Sequence, residues 1–117
     1  MSRVEVARMR VLKFIVSGNS IKHDPLCNFD GLFPGKNDNV QAEFEFSPEW
    51  LNANKVIGFW SIGGNEYAPQ LLDEYNTCTI PVEALRRPVF KIQVIGKNKG
   101  KIMTTNCLPV YQRGGKA

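Results

Sequence analysis

The residue types that most often bind metals or move protons are few and widely spaced in this sequence. The chain has one histidine, His23, and three cysteines, Cys27, Cys78 and Cys107. A structural zinc site uses four thiolate or imidazole ligands, usually in close pairs along the chain, and no Cys-x-x-Cys pair occurs here. We therefore expect no metal and no cofactor, and we interpret the thiols as buried and inert. A Cys78–Cys107 disulfide is the alternative, which a reducing cytosol disfavours.

The common catalytic constellations are also missing. Asp24 follows His23 directly, and neighbours on a strand point to opposite faces, so the two cannot form a histidine–carboxylate pair. The chain has no Gly-x-Ser-x-Gly and no phosphate-binding Gly-x-x-x-x-Gly-Lys-Ser/Thr. Glu43 and Glu45 alternate with apolar residues, which is typical of a solvated strand face. We therefore predict that the protein is not an enzyme.

Basic residues form clusters, which raises nucleic-acid binding as a hypothesis. The net charge is +4 and the pI is about 9.1. Single strands need exposed rings beside the cations, yet most rings lie on strand faces that the pattern predicts to be buried. Ordinary solvated side chains are thus favoured, and nucleic acid is not an expected partner. The clusters are Arg3, Arg8, Arg10 and Lys13; Arg86 and Arg87; and Lys97, Lys99 and Lys101.

The elements that must position these side chains are short β-strands. Turn-forming residues divide the chain, and apolar residues recur at every second position in 10–16 and 39–46. Segment 55–62 is apolar on both faces, which predicts a central strand. We expect seven or eight strands in an all-β fold, an immunoglobulin-like antiparallel β-sandwich. The remaining predicted strands are 66–72, 77–80, 90–95, 102–106 and 108–111.

The two tryptophans lie in different kinds of segment. Trp50 ends a Ser-Pro-Glu-Trp sequence at 47–50, which predicts a capped one-turn helix after a strand. Trp60 lies inside a predicted strand. Each ring offers a large apolar surface and one N–H that needs a partner, so we expect core positions, with interface anchoring as the alternative. Residues 81–86, which begin with a proline, predict one short helical turn.

One long connection, residues 25–39, has no strand pattern. Long connections in compact domains tend to be functional or to wrap the domain. Its apolar residues Phe29, Leu32 and Phe33 are suited to pinning it to the body. Because residues 1–9 are basic and fit both strand and helix, we leave their structure open.

Size and composition place the chain among single-domain folded proteins. It has 117 residues, of which 43% are apolar and 22% charged. No apolar stretch approaches the ~18–20 residues of a membrane helix, and the charged start argues against a secretory signal. We predict a basic arm over 1–9, a single β-sandwich domain over 10–112 and a flexible tail over 113–117.

The order of motifs from residue 40 to 106 resembles a family of small phage and prophage proteins of Gram-positive bacteria. The motifs are Phe-x-Phe-Ser-x-x-Trp at 44–50, Asp-x-x-x-x-Cys-x-Ile-Pro-x-Glu-x-Leu at 73–85, Phe-x-Ile-x-Val-x-Gly at 90–96 and Thr-Thr-Asn at 104–106. The resemblance implies a virion-associated, immunoglobulin-like sandwich used in baseplates, fibres or capsid decoration, and it carries no catalytic residues. Residues 1–10 and 27–39 lie outside the family pattern.

We therefore expect a non-enzymatic structural component of a bacteriophage particle, located in the virion and assembled in the host cytoplasm. Its expected partners are other virion proteins of the capsid, tail or baseplate, and further copies of itself, with no membrane involved. One alternative is a soluble phage-encoded inhibitor of a host factor such as a defence nuclease. Another is a carbohydrate-binding protein, which would need Trp60 to face solvent. The predicted docking surface consists of Arg3, Arg8, Arg10, Phe29, Leu32, Phe33, Arg86 and Arg87.

Overall fold

Two packed β-sheets make up the described part of the chain, and the all-β sandwich is confirmed. The computed structural model describes residues 10–29, 32, 34 and 39–112. The predicted arm (1–9), the predicted tail (113–117) and Phe33 lie outside the described residues. Among the described residues, no helix has the length and hydropathy to cross a membrane.

Nine strands divide between the sheets, where seven or eight were expected. The first sheet has the order β2-β1-β3-β6 and contains β1 (Arg10–Ser17), β2 (Ser20–His23), β3 (Val40–Phe46) and β6 (Thr77–Thr79). The second has β4 and β7 at its centre and contains β4 (Asn54–Ser61), β5 (Gln70–Leu71), β7 (Val89–Asn98), β8 (Lys101–Thr104) and β9 (Leu108–Tyr111). The additional strand is β2, whose four residues are too few for their alternation to stand out. A 3-10 turn (Pro48–Trp50) and a four-residue helix, α1 (Val82–Leu85), occupy the two predicted helical segments.

Strands β1 and β3 pair in parallel, with Phe14 opposite Phe44, whereas the other strand pairs are antiparallel. A tight hairpin cannot join two parallel strands, because the chain must first return to the end of the sheet at which the first strand began. The long 25–39 connection, together with β2, makes that return. Its length is therefore explained by topology.

The core lies between the sheets and is built from the alternation of the long strands. Leu12, Phe14 and Val16 of β1 face Ile92 and Val94 of β7 across the sandwich interior, and all are at most 1% exposed. Aromatic rings dominate one region, where Phe14 stacks on Phe44 with centroids 5.5 Å apart. Burial of these apolar surfaces is the main favourable term in folding.

Trp50 closes one end of the sandwich. Its side chain is fully buried, and its indole Nε1 donates a 2.9 Å hydrogen bond to the Gly18 carbonyl in the β1–β2 turn. The ring also packs on the backbone of β7 at Gly96, where a Cβ would lie 2.7 Å from the Trp50 Cζ3 atom. Glycine at 96 is therefore required for close packing, although the predicted strand ends at residue 95. The strand continues to Asn98, and the turn is Lys99–Gly100, both with positive φ as a two-residue hairpin requires.

Strands β8 and β9 run along the same side of β7 and are separated by a β-bulge. Ile95 pairs with Thr104 and Ile92 with Leu108, so one extra residue lies on the outer strand. Thr105 is buried in the bulge, and its hydroxyl accepts a 3.0 Å hydrogen bond from the Val94 N–H. Because of the extra residue, odd-numbered residues of β8 face the core, whereas even-numbered residues of β9 face it.

The bulge also directs Asn106 across to the first sheet. Its side-chain Oδ1 accepts a 2.9 Å hydrogen bond from the Ile21 N–H, and its backbone N–H donates to the Asn19 carbonyl at 3.2 Å. Ile21 lies in β2, the edge strand of the first sheet. One side chain therefore joins the two sheets and satisfies a backbone group that the edge would leave unpaired.

We expect Asn106→Ala to lower the free energy of unfolding by about 1–2 kcal/mol, because the partly buried Ile21 N–H loses its acceptor. Urea denaturation followed by circular dichroism measures this loss. Asn106→Asp keeps the acceptor oxygen and is expected to stay within about 1 kcal/mol of the unchanged protein at pH 7. Equal losses in the two variants would contradict the role of the oxygen.

Candidate docking surface

Three of the predicted docking residues hold the 25–39 connection to the body. The Arg10 guanidinium donates a 2.8 Å hydrogen bond to the Asn28 carbonyl. Phe29 packs edge-on against Phe14, with centroids 5.6 Å apart, and Leu32 is only 1% exposed. Leu32 consequently offers no surface to a partner, because its side chain is part of the core. The contacts of Phe29 and Leu32 show that these apolar residues hold the connection to the body of the domain, which is one of the two roles considered above.

Arg86 and Arg87 follow α1, are exposed, and line two adjoining recesses. One recess, of about 390 Å³, lies between Tyr67, Glu83 and the two arginines. The other, of about 440 Å³, shares Tyr67 and Arg87 and extends to Ile62 and Val89. Because these two arginines lie beside exposed apolar side chains, they suit a docking surface. Arg3, Arg8 and Phe33 lie outside the described residues, so their predicted role stays a prediction.

The outer faces of the two sheets differ sharply in character. On the first sheet, the outward positions are mainly charged or polar: Lys13, Lys22, Gln41, Glu43, Glu45, Thr77 and Thr79, beside Val11 and Ile15. On the second sheet, most outward positions are apolar: Val56, Trp60, Leu71, Val89, Ile95, Ile102, Pro109 and Tyr111. We call this second set the apolar face. An antiparallel sheet with one solvated side normally alternates apolar-in and polar-out, and the apolar face departs from that rule.

Exposure is considerable at the margins of the apolar face. Leu71 is 75% exposed, Ile102 67% and Tyr111 50%. At its centre, Val56 and Ile95 are cross-strand neighbours and are partly covered by each other. Gly58 and Gln93 lie between this pair and Trp60 in the register, so the apolar side chains form two groups on the face. Exposed apolar groups of this size are typical of a surface that binds another macromolecule.

Trp60 belongs to the apolar face, so the expectation that it fills the core is wrong. Phe59 and Ile57 take the inward positions of β4, which turns Trp60 outward. Its indole lies over Gly58, where an added Cβ would be 3.1 Å from Nε1. The indole N–H is buried and has no hydrogen-bond partner among the described residues. A carbohydrate platform presents its ring and polar edge to solvent, and this buried N–H is poorly suited to one.

The signal for the apolar face is present in the sequence but ambiguous. Segment 55–62 is apolar on both faces, and that pattern predicts a central strand, which β4 is. The same pattern also results when one face packs in the core and the other awaits a partner. Sequence reasoning therefore located the strand correctly and missed its outer surface.

The charged residues on the apolar face and in its adjoining turn are basic. The apolar face carries Lys91 and Lys97, and the adjoining turn carries Lys99. Eight of the fifteen Lys and Arg residues come after Glu83, whereas all eleven Asp and Glu residues lie at or before it. A partner for this surface would bring apolar groups together with negative charge.

Among the described residues, the types that raised catalysis or metal binding are not grouped at one place. His23 packs edge-on against Phe29, with centroids 4.5 Å apart, and its desolvation by burial lowers its pKa. In the described part of the chain, no three His, Cys, Asp or Glu residues are grouped so that they could hold a metal ion. All three cysteines are free, but only Cys78 is buried, so the expectation of three buried thiols is wrong for the partly exposed Cys27 and the exposed Cys107.

We expect the thiols to react with Ellman's reagent at pH 8 in a fixed order. Burial, together with the nearby Asp73 carboxylate, raises the pKa of Cys78 to about 12, so about one in ten thousand of these thiols is ionised at that pH. Cys107 should react first, and Cys78 only after unfolding. Cys107→Ser should remove the fast phase, and reaction of Cys78 in the folded protein would contradict the buried placement.

In comparisons with known proteins, no family model, curated protein or solved structure matches the chain.

Proposed function

We propose that this protein is a non-enzymatic structural component of a bacteriophage particle, and that it acts by docking through the apolar face. The observation that carries the docking role is the contrast between the two sheets. The first sheet presents charged and polar side chains to solvent, as a free surface does, and the second presents mostly apolar ones. Covering the second face would remove apolar surface from water.

The composition of the apolar face also supports protein–protein docking. Tryptophan, tyrosine and arginine are the residue types that most often dominate binding energy at protein interfaces. Trp60 and Tyr111 lie on the apolar face, and Arg87 lies in the recess next to Val89. These large side chains lie near the end of β4 and the start of β7, and the smaller, partly covered Val56 and Ile95 lie further along the same two strands. Such an arrangement is suited to a partner with a matching apolar surface.

The particle context of the proposal rests on the sequence resemblance. The motifs that carry the resemblance build the frame of this sandwich: Trp50 and Gly96 close one end, and Asn106 joins the sheets. The side chains proposed to dock are other residues. A rigid frame with one apolar docking face suits a decoration, fibre or baseplate subunit.

The proposal is tested by mass spectrometry of purified particles from a phage that encodes this chain. We expect the chain in many copies per particle, at a fixed ratio to the major capsid or tail protein. Absence from particles, with the chain abundant in the lysate supernatant, would refute the structural role and favour the soluble inhibitor.

A second measurement on the same particles locates the contact. Acetylation of surface lysines should modify Lys91 and Lys97 in the free chain and spare them in the particle, while Lys13 and Lys22 on the first sheet react in the free chain. Equal modification of Lys91 in both samples would contradict docking through the apolar face.

A further inference from the structure

The described strand edges of the sandwich are not equally protected. On β2, the side chain of Asn106 pairs with the backbone of Ile21. On β6, the Asp73 carboxylate accepts from the Thr77 N–H at 2.9 Å, and the Asp73 N–H donates to the Thr77 carbonyl. Edge strands are commonly covered or interrupted in this way, because their unpaired backbone groups attract other strands.

The edges of the second sheet are protected over part of their length. Strand β5 has only two residues, and β9 contains Pro109, whose backbone has no N–H to offer. Strand β8 differs, since it has four residues, no proline and β7 as its one neighbour among the described strands. It is the long unprotected edge of the described sandwich.

The hairpin register shows which backbone groups of β8 point outward. Asn98 and Lys101 flank the two-residue turn, so they form a hydrogen-bonded pair, and the pairs alternate from there. Ile102 and Thr104 fall in the non-bonded pairs, which directs their N–H and C=O groups away from β7. No described residue forms a hydrogen bond with these four groups.

Three lysines lie on or next to this edge. Lys97, Lys99 and Lys101 are all exposed, and no acidic residue follows Glu83 in the sequence. Two copies of this edge would bring the lysines of both against each other, which disfavours self-pairing. An incoming strand with carboxylates would meet opposite charge.

We propose that the open edge of β8 receives an extended, acidic polypeptide segment of a neighbouring particle protein, which adds a strand to the second sheet. The inference deepens the proposed docking function and rests on it. The backbone of the segment bonds to Ile102 and Thr104, and its carboxylates lie near Lys97, Lys99 and Lys101. Its alternate side chains extend the apolar face beyond Ile102, which explains why this residue is 67% exposed at the border of the sheet. This is strand addition, one of the general modes of peptide recognition.

Polypeptide, rather than nucleic acid, is the occupant that this edge favours. The outward donors and acceptors of β8 repeat with the two-residue period of a strand, and a second backbone matches that period. Phosphates accept hydrogen bonds but donate none, so they would leave the Ile102 and Thr104 carbonyls unpaired.

The test uses the full chain and two synthetic eight-residue peptides, in which either Glu or Lys alternates with Val and Thr. We expect the Glu peptide to bind at least about tenfold more tightly than the Lys peptide. In amide hydrogen exchange by NMR, the Glu peptide should slow Ile102 and Thr104 and leave Met103, whose N–H already faces β7, unchanged. Protection elsewhere, equal binding of the peptides, or tighter binding of a single-stranded DNA oligonucleotide would overturn the proposal.

Two variants with a matched control sharpen the test. Thr104→Pro removes an outward N–H and should weaken the Glu peptide about tenfold. Thr79→Pro makes the same change at an outward position of β6 and should leave binding unchanged. Exchange of Lys97, Lys99 and Lys101 for Glu should reverse the peptide preference without a backbone change. A chain that is abundant in particles but shows none of these effects would refute the edge proposal and leave the docking function standing.

Discussion

Replacing Trp50 with alanine is expected to lower the free energy of unfolding by about 3–5 kcal/mol, the range for a fully buried aromatic side chain. The indole contacts three parts of the fold that are distant from one another in sequence. It donates to the Gly18 carbonyl, its ring lies 5.8 Å from that of Phe46, and it packs on Gly96 of β7. Its removal leaves a cavity that the stiff β7 backbone cannot readily fill.

Guanidinium denaturation monitored by far-ultraviolet dichroism measures the loss. Trp50→Phe retains most of the packing but removes the N–H donor, so we expect an intermediate loss of about 1–3 kcal/mol. Trp60→Phe is the matched control, because that indole lies on the outer apolar face and its N–H has no partner among the described residues. A loss from Trp60→Phe as large as that from Trp50→Ala would contradict the different placement of the two rings.

The two long strands of the first sheet, β1 and β3, could be predicted because one side of that sheet is solvated. In β3, Glu43 and Glu45 alternate with the inward Ala42 and Phe44, so the pattern identifies both the strand and its buried face. The parallel pairing of β1 with β3 could not be predicted in this way. Period and turn signals describe a strand locally, whereas the choice of its neighbour depends on where the long connection returns the chain.

The bulge shows a second limit of pattern reading. Inward positions of β8 and β9 change parity between Met103 and Leu108, because the bulge inserts one residue opposite β7. No turn residue marks this insertion in the sequence. The role of Asn106 depends on it, and so the link between the sheets becomes visible only in the structure.

The candidate site was predictable only at its border. Arg86 and Arg87 stand out as an exposed pair after a helical turn; both line the recess at Tyr67 and Glu83, and Arg87 also lines the recess at Val89. Phe29 and Leu32 have the same apolar character as the docking residues, but packing against the core accounts for them. An apolar side chain gives no sequence signal of whether it meets its own core or a partner, and this is why the apolar face escaped prediction.

Ile95→Lys is expected to weaken incorporation into particles about thirtyfold, the effect of losing roughly 2 kcal/mol at an interface hot spot. Ile95 lies near the centre of the apolar face, between Val56 on β4 and Thr104 on β8. A lysine there places an ammonium group where the partner would bury apolar surface, and the charge loses hydration without gaining a partner. The measurement is the number of copies per particle, with the variant supplied in trans to a phage that lacks the native chain.

The matched control is Ile15→Lys, the same substitution on the outer face of the first sheet. Ile15 is likewise partly buried, and its cross-strand neighbours are Lys22 and Glu45. Its surroundings are already charged, so a further lysine should leave incorporation near the native level. Both variants keep a strand-compatible side chain at a partly solvated position, where surface substitutions usually change stability by about 0.5 kcal/mol or less, and unchanged thermal unfolding would verify this. If Ile15→Lys blocked incorporation and Ile95→Lys did not, the first sheet would be the docking surface and the apolar face would need another explanation.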